Sequence, residues 1–458
     1  MITLRPYQVD MLARARVALR THKSVLIQAP TGAGKTALAA SMIGTAAMEK
    51  NIASAFICHR QELLDQTAET FEKVGIDYGF CAAGRPFNPY KPVLICSIGT
   101  LINRMDRIGP RGFLIWDEAH HTAATTWAKV RANYGDAFNV GLTATPERLD
   151  GKGLEQQFAA IVPGPSVLWL IENGFLSKYR GFAPTKPNLA GVHTRGGDYA
   201  VDELEHVMDQ KLIIGDAIKH YRRHADGKRA VVFCVTVTHA EHTAELFRDA
   251  GIVAICLHAG TPKDERRLAV QAFRDGQVKV LCNVNLFSEG FDLPAMEAVI
   301  LLRPTKSLGM YMQQVGRSLR PYPGKAAAII LDHAGNMAQH GLPDDEREWS
   351  LKGRKKKKKK GDEPVIPIRN CPECFAAHRP APVCPECGHV YTVQGRALEE
   401  VDGDLTEIDP RLIREKRLRE QGAAKSLPEL IALGRSRGYR YPEKWAAHTW
   451  TARMARRV

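Results

Sequence analysis

The sequence predicts an α/β protein made of two tandem parallel-sheet units, a small cysteine module and a basic helical tail. Three observations lead there. Short apolar runs alternate with longer stretches whose apolar positions recur at helical spacing, the pattern of strands buried on both faces between helices. This rhythm pauses at about 181–200, where Pro, Gly and polar residues gather around Arg195-Gly196-Gly197-Asp198, and then resumes. Four of the ten cysteines crowd into residues 371–387, just after the run Lys355–Lys360. A chain of 458 residues has room for about three domains at roughly 150 residues each.

In the first unit the expected strands are Ser24–Gln28, Ala53–Cys58, Val93–Ser97, Phe113–Trp116 and Asn139–Thr143, with helical segments such as Thr36–Lys50 and Arg60–Val74 between them. In the second they are Ala230–Val235, Val253–Leu257, Lys279–Asn283, Ala298–Leu302 and Ala327–Leu331, preceded by a helix near 202–222. The expected division is therefore 1–180 for the first domain, 181–205 for a linker and 206–350 for the second domain. A basic linker follows at 351–368, then the cysteine module at 369–392 and the helical region at 393–458. No 20–50-residue repeat is visible.

Charge is uneven. Residues 351–458 hold 24 Lys and Arg against 14 Asp and Glu, a net of +10, which leaves only +4 of the total +14 for the first 350 residues. A nearly balanced body with a basic tail suits a polyanionic partner. No apolar run approaches the ~18 residues of a membrane span, so no membrane partner is expected. The beginning Met-Ile-Thr-Leu-Arg-Pro-Tyr-Gln lacks a signal-peptide core. Cys58, Cys81, Cys96, Cys234, Cys256 and Cys282 are scattered through apolar stretches rather than set in a disulfide framework, and a reducing cytoplasm is expected.

The first strand runs into Ala29-Pro30-Thr31-Gly32-Ala33-Gly34-Lys35-Thr36, and a helix follows. Glycines at 32 and 34 allow a tight turn whose N–H groups point inward at phosphate oxygens, and the helix N-terminus adds partial positive charge. Lys35 would reach the β- and γ-phosphates of ATP, and the Thr36 hydroxyl would ligate Mg²⁺. The strict pattern has Gly where Ala29 stands. A ligand-free Gly-rich turn is the alternative.

Gly112–Trp116 ends in Asp117-Glu118-Ala119-His120-His121. An acid at the carboxyl end of a neighbouring parallel strand lies beside the phosphate loop. Asp117 would hold Mg²⁺ directly or through water, and Glu118 would act on the attacking water as base or orienter. Alone, Asp-Glu after a strand is usually a surface turn; the phosphate loop some 80 residues earlier changes that reading.

The loop Ala29–Thr36 and Asp-Glu-Ala-His at 117–120 resemble the superfamily 2 helicases and translocases. Thr143-Ala144-Thr145-Pro146 is similar to their third motif, which implies that Thr143 and Thr145, with His120, couple hydrolysis to nucleic acid. Leu4-Arg5-Pro6-Tyr7-Gln8 resembles the segment whose Gln contacts adenine, which implies that role for Gln8. Gly141–Arg148 and the doubled His120-His121 look closest to the branch of restriction-enzyme motor subunits and phage or bacterial DEAD/DEAH-box proteins. Gln313-Gln314-Val315-Gly316-Arg317-Ser318-Leu319-Arg320 resembles the sixth motif, Gln-x-x-Gly-Arg-x-x-Arg, which implies roles for Gln313, Arg317 and Arg320 at the γ-phosphate. On a helix the two arginines, three apart, share a face. Ser288–Pro294 is similar to the fifth motif, which carries Gly290 and Asp292 to the nucleotide; Val284-Asn285 departs from the Thr-Asp of many relatives. Val231–Val235 with Thr236, and His258-Ala259-Gly260, sit where relatives contact the strand backbone. The resemblance covers about residues 1–345 and implies two RecA-like domains closing on Mg–ATP.

Cys371-Pro372-Glu373-Cys374 and Cys384-Pro385-Glu386-Cys387 form two Cys-x₂-Cys knuckles. Four thiolates at this spacing suit a small zinc ribbon holding Zn²⁺; His378 and His389 stand nearby, and a redox dithiol or free thiols is the alternative. Lys355–Lys360 reads first as a solvated linker that would also strengthen nonspecific phosphate binding. In the tail, Arg411, Arg414, Lys416, Arg417 and Arg419 line a helix. Tyr439, Tyr441, Trp445 and Trp450 then interleave with Arg437, Arg440 and Lys444; such aromatics either stack bases or pack a small helical subdomain. The expected function is an ATP-dependent DNA helicase or translocase in a bacterial or phage-infected cytoplasm. The alternatives are an RNA helicase, or a nucleic-acid-stimulated ATPase subunit of a restriction or phage complex. Replication, repair or restriction partners are not specified by the residues.

Overall fold

The computed structural model describes residues 3–59, 61–122, 124–148, 151–183, 187–284, 286, 293, 295–353, 368–391, 410–437, 439 and 441–455. In the first lobe, apolar runs form β1 (Ser24–Gln28), β2 (Ser54–Cys58), β3 (Tyr78–Cys81), β4 (Val93–Ser97), β5 (Phe113–Trp116), β6 (Phe138–Thr143) and β7 (Ala160–Pro163). They build one parallel sheet in the order β3-β4-β2-β5-β6-β1-β7. Every residue of β1, β2 and β4 is buried, as a sheet covered by helices on both faces requires. All seven carboxyl ends therefore lie along one edge.

The second lobe contains β8 (Tyr179–Phe182), the hairpin β9 (Thr194–Arg195) and β10 (Asp198–Tyr199), then β11 (Ala230–Phe233), β12 (Ala254–Leu257), β13 (Val280–Asn283), β14 (Ala298–Leu301) and β15 (Ala328–Asp332). Its main sheet is also parallel, in the order β12-β13-β11-β14-β15-β8. The helix expected near 202–222 is two, Val201–Met208 and Lys211–Ala225.

The division near residue 180 differs from expectation. β8 already pairs with β15, so the chain has entered the second lobe by Tyr179. The stretch 181–205, expected as a linker, instead carries the β9–β10 hairpin, which docks on this lobe. Asp198 accepts from Thr305 Oγ1 at 2.8 Å and from the Lys306 N–H at 2.6 Å. The crossing between lobes lies earlier, after β7, and includes helix Val167–Glu172. A second crossing returns the chain: the Leu351 carbonyl accepts from the N–H groups of Leu154 (2.7 Å) and Glu155 (3.1 Å) in the first lobe. Gly153 is required there, because a Cβ would sit 1.9 Å from the Leu351 oxygen.

The cysteine module adds β16 (Arg369–Asn370) and β17 (Ala377–His378), an antiparallel pair. It docks against the open edge of β8. Phe182 bridges Ala376, the Ala183 N–H donates to the Phe375 carbonyl at 3.0 Å, and Asn370 Nδ2 donates to the Ala183 carbonyl at 3.1 Å. Covering an edge strand this way satisfies backbone groups that would otherwise pair with another chain. Arg180–Glu386 (2.7 Å) and Arg379 with Asp344 (3.4 Å) and Asp345 (3.1 Å) reinforce the seam.

Residues 393–458 form a separate compact unit. Helices Pro410–Ala423, Leu427–Ser436 and Pro442–Ala455 enclose Ala424, Leu430 and Ala446, with Trp445 and Trp450 packed against them. Tyr439 meets Trp445 edge-on at 5.0 Å, so these aromatics pack a small helical subdomain, while Tyr441 is exposed. Arg440 and Lys355–Lys360 lie outside the described residues.

Candidate active site

The phosphate loop leaves the carboxyl end of β1 with Gly32 at φ 88° and Gly34 at φ 80°, backbone conformations that side chains resist, and helix Lys35–Gly44 begins at once. Its rear is braced by the N-terminal helix. Gln8 Nε2 donates to the Ala33 carbonyl at 3.0 Å, its Oε1 accepts from the Arg5 N–H at 2.9 Å, and the Tyr7 hydroxyl donates to the same Ala33 carbonyl at 3.0 Å. A Cβ on Gly34 would stand 2.4 Å from Gln8 Nε2, so the glycine permits the close approach.

The acids sit one strand further away than expected. β6 stands between β1 and β5, so Asp117-Glu118 leave a next-but-one strand rather than an immediate neighbour. They still reach the loop: Lys35 Nζ lies 3.7 Å from Glu118 Oε1, and both side chains are largely buried. Glu118 adopts φ 44°, a conformation that costs about 1–3 kcal/mol for a non-glycine residue and is typical of functional turns. Its Oε2 is buried and accepts no hydrogen bond. A carboxylate oxygen held in this state is suited to receive a proton or orient a water.

The strand between them supplies the third element. His120 Nδ1 is 2.8 Å from Thr143 Oγ1 at the end of β6, and 3.5 Å from Glu118 Oε2. Thr143 donates its one hydroxyl proton to the Thr145 carbonyl at 2.7 Å, so the His120 contact must be an Nδ1–H donated to Thr143.

The second lobe closes on this surface through helix Leu308–Ser318, the element that carries Gln313 and Arg317; Arg320 follows its end. A Cβ on Gly316 would lie 2.7 Å from Thr31 Cβ, and one on Gly32 would meet Arg320 Cγ at 3.5 Å and Leu176 Cδ2 at 2.9 Å. A Cβ on Gly309 would stand 2.8 Å from Thr145 Oγ1. Glycines on both sides thus allow backbone-close contact between the sixth-motif helix, the phosphate loop and the Thr143–Thr145 turn. Gln313 and Arg317 are buried here, and Gln313 Nε2 has no hydrogen-bond partner. A cavity of about 410 Å³ opens beside Thr31 between the lobes, lined among others by Gln28, Ala144, Met312, Arg347 and Trp349.

Lys35, Glu118, His120, Thr143, Thr145, Gln8 and the phosphate loop are therefore brought together, with Arg320 and Gly316 facing them. Gly290 and Asp292 lie outside the described residues, as does Asn285. Sequence reasoning placed Tyr7 and Gly316 within motifs but gave them no role, and it missed Gly309; the roles of the two glycines depend on what faces them.

The four cysteine sulfurs all lie within 4.8 Å of one another. Cys371–Cys387 and Cys374–Cys384 are 3.6 and 3.7 Å apart, close to the roughly 3.8 Å edge of a tetrahedron with ~2.3 Å metal–sulfur bonds. Each knuckle ends in a positive-φ residue, Phe375 (62°) or Gly388 (75°), whose N–H returns to the first cysteine's carbonyl at 2.9 or 3.0 Å. Burial works to raise the Cys371 thiol, but backbone N–H groups of Cys374 and Glu373, with side-chain hydrogen bonds from Cys387 and Tyr391, together bring it down to about 6. The donor set fits one thiophilic metal ion.

Two parallel-sheet lobes meeting at one phosphate loop, with arginines approaching from the far lobe, define an ATP-hydrolysing nucleic-acid motor of the helicase and translocase class. Known proteins refine that class. The type III restriction enzyme res subunit family matches residues 1–148, and the helicase conserved C-terminal domain matches residues 211–322. A 51.5 kDa protein of Lactococcus phage (isolate 7-9) is 34% identical over 398 residues, covering 86% of this chain and 85% of its own. The Saccharomyces cerevisiae protein named for an ATP-dependent helicase, IRC3, is 27% identical over 355 residues, covering 72% of this chain; the chain spans about half (51%) of that relative. A fragment structure of the HsdR subunit of a type I restriction enzyme from Vibrio vulnificus YJ016 shares the fold, with a TM-score of 0.58 at 20% identity over 75% of this chain and 67% of that one. The chain belongs to the superfamily 2 helicases, in the branch of restriction-enzyme motor subunits. Among the described residues, no helix is long and apolar enough to cross a membrane.

Proposed function

We propose that this chain is a DNA helicase or translocase that couples ATP hydrolysis to movement along DNA. The observation that carries the reading is the approach of Gly316 and Arg320 to Thr31 and Gly32, which sets one lobe's arginine helix against the other's phosphate loop. In this reading the ATP-binding domain runs from the N-terminal helix to the helix Val167–Glu172, the second RecA-like domain runs from β8 to about residue 350, and the ribbon is 369–392. Backbone N–H groups of Thr31–Lys35 cradle the phosphates, Lys35 neutralises the β- and γ-oxygens, and Gln8 reads the base. Thr36 and Asp117 would hold Mg²⁺, which supplies charge neutralisation at the phosphates. Glu118 orients the attacking water through its unsatisfied Oε2. Arg317 and Arg320, steered by Gln313, stabilise charge developing on the γ-phosphoryl group, while Gly290 and Asp292 complete the nucleotide contacts.

His120 passes the state of Glu118 to Thr143 and Thr145, and alternating closure of the lobes converts hydrolysis into steps. Cys371, Cys374, Cys384 and Cys387 hold Zn²⁺. DNA is favoured over RNA because the matched family is that of a restriction enzyme subunit, and the phage relative supports a bacterial or phage-infected cytoplasm. The basic helical region adds affinity for the phosphate backbone. ATP turnover measured against single- and double-stranded DNA and RNA tests this: stimulation by DNA well above RNA is expected, and stimulation by RNA alone would replace the substrate.

A further inference from the structure

The doubled histidine does more than supply His120. The short turn Ala119–His121 sends the two rings to different neighbours. His120 points inward to Thr143, whereas the His121 ring packs in tilted contact with His120 (4.1 Å between ring centroids, 43°) and with His59 (4.4 Å, 38°). His59 is the first residue beyond β2. Three imidazoles thus form a ladder along the carboxyl edge of the sheet. It starts at the end of β2, crosses the end of β5 and finishes against Thr143 at the end of β6.

The placement matters because parallel sheets of this kind bind ligands along their carboxyl edge. The end of β1 takes the triphosphate, which leaves the ends of β2 and β4 on the same edge for a second ligand. His59 is half-buried there. Its ring is two ring–ring contacts from the imidazole whose Nδ1 lies 3.5 Å from the buried Glu118 Oε2.

We propose that His121 is a positioning residue: it relays the arrival of nucleic acid at the end of β2 to His120, and so sets Glu118 and Thr143 for hydrolysis. The inference rests on the motor reading above. Contiguous packed side chains are the kind of element through which sites couple, and site-to-site coupling commonly amounts to about 5–150-fold.

The test uses the purified full-length chain, with ATP turnover measured with no polymer and with saturating double-stranded DNA. H121A is expected to cut DNA stimulation about ten-fold, with KM for ATP shifted less than about two-fold. H121F keeps a ring in the ladder and should recover most of the stimulation. H59A should lower stimulation as H121A does, and the double variant should be no worse than either alone. Should H121A fail to fold by circular dichroism, H59A carries the comparison. Full stimulation in H59A and H121A, additive losses in the double variant, or an H121F as impaired as H121A each overturns the relay. A wild-type chain whose turnover no polymer stimulates removes the motor reading itself, and the relay with it; that outcome is visible before any variant is made.

Discussion

The two lobes share one strand plan and differ in what hangs from it. The run β4-β2-β5-β6-β1 of the first sheet is matched by β13-β11-β14-β15-β8 of the second. In the first lobe the strand ending that run, β1, opens into a phosphate loop. In the second its counterpart, β8, runs into Ala183 and is sealed by the cysteine knuckle. The scaffold fixes where a ligand-binding edge falls, and the segment attached there decides the chemistry. In the proposed function one lobe therefore grips phosphate, and the other contributes arginines from a helix and a four-cysteine metal site at its edge.

The sharpest way to break this comparison is to remove the first lobe's chemistry. Lys35→Ala or Glu118→Gln should abolish ATP turnover while circular dichroism and melting stay close to wild type. Undiminished turnover in either variant strips that residue of its assigned role. On the opposite side, Arg320→Ala should lower kcat by roughly 10³-fold with a much smaller change in ATP affinity. A loss confined to affinity would make it a binding group. The contact itself is next: Gly316→Val places a side chain where a Cβ already meets Thr31 at 2.7 Å, and should reduce turnover by about 10²-fold through misplacement, leaving nucleotide binding to the first lobe intact. Wild-type turnover in that variant would mean the lobes need not approach so closely.

How much of this was legible in the sequence divides along the same line. β1, β2, β4, β5, β6, β11, β13, β14 and β15 were readable because they are almost wholly buried on both faces; the edge strand β12 was readable too, because its run Val253–Leu257 is continuously apolar. β3, β7 and β8 escaped because they sit at or near sheet edges, where buried and half-exposed residues mix and no continuous run survives. Missing β8 is why the boundary was expected at 180. The phosphate loop, the acids and the knuckles were legible because each is a local pattern whose spacing makes the site. Gly316 against Thr31 and Gly309 against Thr145 were not, because an absent side chain has meaning only once its tertiary neighbour is known.

Smaller effects separate the lobes further. Stripping metal with a chelator should release the ribbon from β8, so hydrogen exchange should accelerate at 179–183 and 369–391 while β1, β5 and β6 keep their protection. About one zinc per chain should be recovered; well under one would end the ribbon assignment. The mildest probe is pH. Burial holds His224 and His239 down at about 4 and His333 at about 3, all in the second lobe. Between their ordinary value of 6.5 and these depressed values, the unfolded chain binds more protons than the folded one. Stability should therefore be complete above 6.5 and decline as pH falls toward 4. His333→Phe should flatten that decline, as read by chemical denaturation; an unchanged slope would show that His333 does not contribute to it.

The central claim is that one triphosphate is held by both lobes at once. A crystal structure with magnesium and a non-hydrolysable ATP analogue tests it most directly. Lys35 from the first lobe and Arg317 or Arg320 from the second should both lie within hydrogen-bonding distance of the same γ-phosphate. A nucleotide touched only by the first lobe, with the arginines turned toward another surface, would contradict the account.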